Sequence, residues 1–96
     1  MALFVAEHRH PGDRCPASDP QMAPYLLKLL SAPEASKHGV KIHGEAVAKG
    51  QHHLYLIVDA PSEASVKSWL APFAQAGSLD VLPSSPCEDV VARGKC

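Results

Sequence analysis

The pattern of hydrophobic and polar residues divides the chain into alternating strands and helices. Runs of aliphatic and β-favouring residues predict four strands, at 3–10, 40–48, 52–60 and 78–82. Apolar residues at helical spacing predict one helix after the first strand and one after the third: Met22, Tyr25, Leu26, Leu29 and Leu30, then Val66, Trp69, Leu70 and Phe73. After the last strand, a capping box at Ser85-Pro86-Cys87-Glu88 predicts a short helix over residues 86–93.

Proline and glycine set the expected boundaries of these elements. Asp19 is expected to cap the first helix, with Pro20 at its first position. Pro33 interrupts that helix, and Pro72 either kinks the second helix or restarts it after a short break. The sequence Lys49-Gly50-Gln51 predicts a tight hairpin between the second and third strands.

The order of the elements is β-α-β-β-α-β, followed by a tail over residues 84–96. This order predicts a single ferredoxin-like domain of class α+β over residues 1–96. Its four-stranded antiparallel sheet is expected in the strand order 4-1-3-2, with both main helices on one face. A chain of 96 residues is long enough for one such core and too short for two.

Alternation along each strand sorts the side chains into two faces of the sheet. The face expected under the helices is aliphatic and comprises Leu3, Val5, Val40, Ile42, Ala46, Leu54, Leu56, Val58, Leu79 and Val81. The other face is mixed and comprises Phe4, Ala6, His8, His10, Lys41, His43, Glu45, His53, Tyr55, Ile57, Asp59, Asp80 and Leu82. This mixed set is too apolar for bulk water and too polar for a plain core, so we expect it to meet a partner or line a ligand site. We therefore expect two chains to stack these open faces as a homodimer.

The element order, the half-polar face and the ending PFAQAGSLDVLPSSPCEDV resemble the dimeric α/β-barrel superfamily. That superfamily includes muconolactone-isomerase-like proteins, cofactor-free antibiotic-biosynthesis monooxygenases and many small uncharacterised bacterial proteins. The resemblance implies that two ferredoxin-like chains close their sheets into a barrel around a cavity. It is architectural, and fold alone says little about chemistry.

Charge and composition narrow the classes of partner. Nine Lys and Arg residues against ten Asp and Glu give a net charge of −1, which argues against nucleic acid and anionic membrane as partners.

The start of the chain lacks the pattern of a signal peptide, and three cysteines do not suggest a secreted disulfide scaffold, so a cytoplasmic protein is expected. No phosphate-binding glycine loop or G-x-S-x-G motif is present, so a nucleotide cofactor and hydrolase chemistry are not expected.

The strongest chemical signal is the spacing His8-x-His10-x4-Cys15. Two imidazoles two residues apart on one strand can meet one ion, and Cys15 could fold back as a third ligand after the Pro-Gly turn. His43 is expected on the same face and completes the predicted metal-ligand set. Such ligands suit Zn, Ni or Cu rather than Mg or Ca. The alternative is that these histidines form hydrogen bonds with solvent or with nearby carboxylates.

Other reactive residues have competing interpretations. Cys87 near the start of the terminal helix is either an ordinary thiol, a reactive or metal-bound thiolate, or half of a disulfide with Cys15 or Cys96. Adjacent strand residues point to opposite faces, so His52 and His53 are not expected to bind one ion together. They are expected to be solvent-exposed histidines of the turn. Tyr55 could orient a ligand through its hydroxyl.

Three functions follow from these residues, and the sequence leaves open whether the protein is an enzyme. The leading interpretation is a small dimeric barrel protein that binds a transition metal through the His-x-His and Cys cluster. An alternative is a cofactor-free isomerase or monooxygenase acting on a small aromatic or lactone-like molecule, with His8, His43 or Tyr55 transferring protons. The third is a non-catalytic ligand-binding module.

Overall fold

Four antiparallel strands form one sheet in the computed structural model, which describes residues 1–96 apart from the side chain of Arg14. The strands are β1 (Ala2–Arg9), β2 (Lys41–Val47), β3 (His53–Ala60) and β4 (Ser78–Ser84). Their order in the sheet is β2-β3-β1-β4, which confirms the predicted arrangement. β1 and β3 are therefore the central strands, and the class is α+β as predicted.

Five helices connect or follow the strands. They are α1 (Met22–Leu29), α2 (Ala32–Ser36), α3 (Glu63–Trp69), α4 (Ala71–Ala76) and α5 (Cys87–Arg93). Each predicted main helix is thus a pair of shorter ones, because Pro33 and Pro72 each begin a new helix near its first position. Two 3₁₀ turns, Gly12–Arg14 and Pro16–Ser18, lie in the loop before α1.

Side-chain oxygens accept hydrogen bonds from backbone N–H groups at the start of two helices. The Asp19 carboxylate accepts hydrogen bonds from the backbone N–H groups of Gln21 and Met22, at 2.8 and 3.1 Å, so the helix itself begins two residues later than predicted. Ser62 accepts from the N–H of Ser65 and caps α3. The capping box predicted for the terminal helix is wrong: Pro86 stands at its N-cap without a side-chain cap.

The hydrophobic core lies between the helices and one face of the sheet. Leu56 and Val58 of β3 and Val66 and Trp69 of α3 belong to it, each at most 1% exposed. The Trp69 indole N–H donates to the carbonyl of Leu29 at 2.8 Å, which ties α3 to the end of α1. Tyr25, one of the residues at helical spacing in α1, is 50% exposed and lies outside this core.

The face predicted for β1 is also wrong. Phe4, Ala6 and His8 are the residues buried against the helices, whereas Leu3 and Val5 lie half-buried on the open face. The pairing explains the outcome, since His8 lies opposite Leu54 of β3 and Leu79 of β4, and paired residues share a face. Alternation defines two sets of residues but does not say which set faces the core when both contain apolar side chains.

A register shift in β2 changes two further assignments. The pairing with β3 slips between Ile42 and Gly44, and an extra residue in one strand reverses the faces that follow it. Glu45 therefore lies opposite Leu56, on the helix face, and Ala46 lies opposite Tyr55 on the open face, the reverse of the prediction.

The open face of the sheet keeps an apolar centre. Ile57 and Leu82 are each 46% exposed and lie on either side of Val5 in the pairing. Homodimer formation through this face stays a prediction. In the part of the chain that is described, no helix has the length and apolar character needed to cross a membrane.

Candidate functional site

Three histidines form a chain of hydrogen bonds at one end of the sheet, on the helix side. His8 and His10 come from β1 and the residue after it, and His52 comes from the hairpin before β3. His8 Nδ1 lies 3.0 Å from the carbonyl oxygen of Ser78. His8 Nε2 lies 3.3 Å from His10 Nδ1, and His10 Nε2 lies 3.1 Å from His52 Nδ1. The chain thus runs from the buried interior to the protein surface.

The carbonyl of Ser78 determines the direction of this chain. A carbonyl only accepts, so Nδ1 of His8 carries a proton and donates it to Ser78, which leaves Nε2 of neutral His8 as an acceptor. His10 must then donate from Nδ1 to His8, and its own Nε2 accepts from Nδ1 of His52. Every ring therefore has one assigned tautomer, and His52 keeps a free lone pair on Nε2.

Cys15 lies near these hydrogen-bonded histidines, on the loop that follows β1. One ligand atom from each of His10, Cys15 and His52 can be chosen such that all three lie within 4.8 Å of one another. The loop is held against the hairpin by a backbone hydrogen bond from His10 N–H to the carbonyl of His52, at 3.2 Å. Gly12 lies so close that a Cβ there would be 3.2 Å from His52 Nε2. The loop and the hairpin are thus packed tightly around the cluster.

The environment keeps the inner histidines neutral. Burial is the main cause that lowers the pKa of His8 from its ordinary value of 6.5, and the neighbouring His10 and His53 lower it further, against the bond to Ser78. Burial and the neighbouring His52 lower the pKa of His10. A neutral imidazole has a lone pair for a metal ion, so these shifts favour coordination.

A cavity of about 580 Å³ opens beside the cluster, between α1, the sheet and the hairpin. His8, His10, Cys15 and His52 line it together. Most of the remaining wall is apolar, including Leu26, Leu27, Leu30, Val47, Leu54 and Phe73. Its size falls within the range of small-molecule sites in proteins, which is roughly 300–1,000 Å³.

The structure does not bring His43 to this cluster. His43 Nε2 lies 2.8 Å from Asp59 Oδ2, and Asp59 belongs to the open face, where it pairs with Leu3 and Lys41. His8 and His10 lie on the other face, so the common face expected for the three histidines is wrong. The cause is the inverted face of β1 together with the register shift beside His43.

Tyr55, the other catalytic candidate, belongs to a separate polar group on the open face. Its hydroxyl lies 3.1 Å from His53 Nδ1, and the two rings stack with centroids 4.0 Å apart. Arg9 Nε donates to the same nitrogen at 3.2 Å. His53 Nε2 is buried and lacks a hydrogen-bond partner among the described residues, while Glu7 Oε1 lies 3.6 Å away.

The remaining cysteines lie apart from this cluster. Cys87 is the first residue of α5 and is exposed, as is Cys96 near the chain end. All three cysteines are free thiols in the described structure, so the disulfides considered for Cys87 are not formed.

His52 is the member of the cluster that the sequence does not predict. Its neighbour His53 points to the other face of the sheet, and the residues that His52 approaches are distant in the chain. The available signal was Gly50, whose positive φ of 71° turns the hairpin back toward the end of β1. A tight hairpin beside a strand end that carries two histidines places the next histidine near them.

Comparison with known proteins identifies a family but no activity. The family model described as "Domain of unknown function (DUF3303)" matches residues 3–95. No curated protein matches the chain.

Proposed function

The chain belongs to this DUF3303 family, and we propose from its geometry that it binds a transition metal ion through His10, Cys15 and His52. The observation that carries the proposal is the convergence of one potential ligand atom from each residue within 4.8 Å. The three residues come from two chain segments that pack against each other, so their proximity is a product of the fold.

The distance between the two histidines fits a shared ion. His10 Nε2 and His52 Nδ1 are 3.1 Å apart. Two nitrogens bound to a tetrahedral zinc ion at about 2.05 Å each are about 3.3 Å apart. The ion replaces the hydrogen bond between the rings with little movement, and His52 then carries its proton on Nε2 instead of Nδ1.

The ligand types indicate which ions can bind, and the number of ligands leaves one coordination position open. Imidazole and thiolate suit Zn, Ni or Cu and disfavour Mg and Ca. Three protein ligands leave a fourth position of a tetrahedral ion for water or another molecule, as in catalytic zinc sites. The adjoining cavity makes that position accessible to a small molecule.

In this proposal His8 supports the site without binding the ion, and His43 has no part in it. Nε2 of His8 accepts the Nδ1 proton of His10, which leaves Nε2 of His10 free for the ion. Such outer-shell hydrogen bonds fix the tautomer and orientation of a metal-binding histidine.

Zinc titration of the purified, untagged protein tests the proposal. In competition with a chromophoric chelator, we expect one zinc ion per chain and release of the Cys15 thiol proton. Substitutions H10A, C15S and H52A are expected to lose this binding. The matched controls are H38A and C87S, which replace a histidine and a cysteine outside the cluster and are expected to bind zinc as the parent protein does.

Two results would overturn the metal proposal. One is failure of the parent protein to take up Zn, Ni or Cu. The other is unchanged affinity in all three ligand variants. The first would favour the cofactor-free alternative, in which a group such as His8 exchanges protons with a molecule in the cavity, and the second would mean that the ion binds at other residues.

We also propose that a second copy of the chain covers the open face of the sheet. The support is an apolar row across three neighbouring strands, formed by half-buried Val5 and exposed Ile57 and Leu82. A net charge of only −1 per chain gives little repulsion between copies. Sedimentation is expected to give a dimer at micromolar concentration, and I57K a monomer. A parent protein that sediments as a monomer would refute this assembly.

A further inference from the structure

We propose that the cavity beside the cluster binds a small monocarboxylic acid with an apolar tail, whose carboxylate occupies the open position of the metal ion. This inference rests on the proposed function and adds the chemical class of the ligand. It follows from three properties of the cavity: its apolar walls, its exposed apolar rim and the charged groups that line it.

The cavity wall changes character with depth. Leu26, Leu54 and Phe73 are at most 7% exposed and form its floor. Leu27 and Val47 line the same cavity but are 75% and 58% exposed. Large apolar side chains that converge on one cavity mouth from a helix and a strand indicate a surface that a ligand covers. An apolar tail that fills the cavity would remove both from water.

The charge of the loaded site favours a carboxylate as the head group. A divalent ion bound to the Cys15 thiolate and two neutral imidazoles carries a net charge of +1. One carboxylate bound at the fourth position neutralises that charge within a wall that is otherwise mostly apolar. Carboxylate oxygen is an ordinary zinc ligand, so this arrangement leaves no uncompensated charge at the metal site.

Glu45 restricts the ligand to one carboxylate. After the register shift in β2, its side chain lies on the helix face and lines the cavity. A second carboxylate on the ligand would share the cavity with this like charge, which is unfavourable. The site should therefore discriminate between monocarboxylates and dicarboxylates of equal length.

Calorimetric titration of the zinc-loaded protein with octanoate tests the inference. We expect one octanoate per chain, with affinity at least about tenfold higher than for the metal-free protein. Octanedioate and octan-1-ol are expected to bind at least about tenfold more weakly than octanoate, the first because of Glu45 and the second because it lacks the charged head group.

A pair of surface variants tests whether octanoate binds in this cavity. L27D places a charge at the cavity rim and is expected to weaken octanoate binding at least about tenfold, because burial of a leucine side chain is lost. V91D is the matched control, since Val91 is 77% exposed on α5 and does not line the cavity. Neither variant replaces a metal ligand, so zinc affinity is expected to be unchanged in both.

The outcomes separate this inference from the proposed function. Zinc uptake without octanoate binding overturns the inference and leaves the metal site intact. Equal octanoate affinity with and without zinc, or equal loss in L27D and V91D, also overturns it. Failure of zinc uptake, measured on the same sample, overturns the proposed function, and the inference falls with it.

Discussion

Replacing His8 tests the reasoning about the histidine chain most directly. His8 is 2% exposed, and its Nε2 is the acceptor for the Nδ1 proton of His10. The substitution H8L fills a similar volume but removes the acceptor. H8Q offers a side-chain oxygen near the position of Nε2 and retains an acceptor. The two variants therefore differ in the hydrogen bond to His10 while both keep the site filled.

The size of the effect follows from the position of His8 behind a metal ligand. Removal of an outer-shell hydrogen bond typically costs 10–100-fold in metal affinity, which corresponds to about 1.4–2.7 kcal/mol. We expect a loss in this range for H8L. In H8L, His10 has no partner to hold its Nδ1 proton and is free to turn or change tautomer. H8Q is expected to lose only about a few-fold, because its oxygen still orients His10.

The assay is competition for zinc between each variant and a chelator of known affinity. Urea unfolding of the same samples establishes that both variants are folded. Zinc affinity of H8L equal to that of the parent would refute the assigned direction of the hydrogen bonds. Equal losses in H8L and H8Q would show that packing around residue 8 matters and that the acceptor does not.

Three further predictions concern stability. In the metal-free protein, the His8 side chain binds a proton below pH of about 6.5 in the unfolded chain, whereas the folded protein disfavours that protonation. The free energy of unfolding should therefore fall as pH drops from 8 to 5. An equally steep dependence on pH in H8L and in the parent protein would contradict this. W69F leaves a carbonyl of α1 without its donor and should cost about 1–3 kcal/mol in urea unfolding, and an unchanged midpoint would argue against that bond. G77A places a Cβ against the carbonyl oxygen of Arg9 and should lower the free energy of unfolding by about 1–3 kcal/mol or more. Gly44 has open space around it, so G44A is the control, and equal costs in the two variants would count against the close approach.

The order of the elements could be predicted because local signals agree with the fold. The carboxylate of Asp19, the hydroxyl of Ser62 and the two helix-starting prolines act within a few residues of their own positions. Such signals depend on backbone geometry near the residue and not on distant packing. They were sufficient for the α+β class and, with the usual topology of this pattern, for the strand order.

The faces of β1 and β2 could not be derived in the same way. In β1 both alternating sets begin with apolar residues, Leu3 and Val5 in one and Phe4 and Ala6 in the other. In the folded protein the set that contains Phe4 is buried in the core, and Phe4 is 5% exposed. In β2 a register shift next to His43 reversed the alternation. Neither the choice of core side chain nor the position of the shift is encoded in periodicity.

The candidate site was therefore predicted in part. His10 and Cys15 were expected to cooperate from their spacing in the chain, and they do lie together. The third member, His52, reaches them because the loop after β1 packs on the hairpin. That contact joins residues about forty positions apart, and no local pattern reports it.

Trp69 gives the chain a built-in optical probe of the cavity. It is the single tryptophan of the sequence and is fully buried. Its indole N–H is bonded to the last residue of α1, the helix whose leucines form one wall of the cavity. Any displacement of α1 by an occupant of the cavity is transmitted to this bond and to the surroundings of the indole. Intrinsic fluorescence can therefore follow filling of the cavity without a label, with no second tryptophan to obscure the signal.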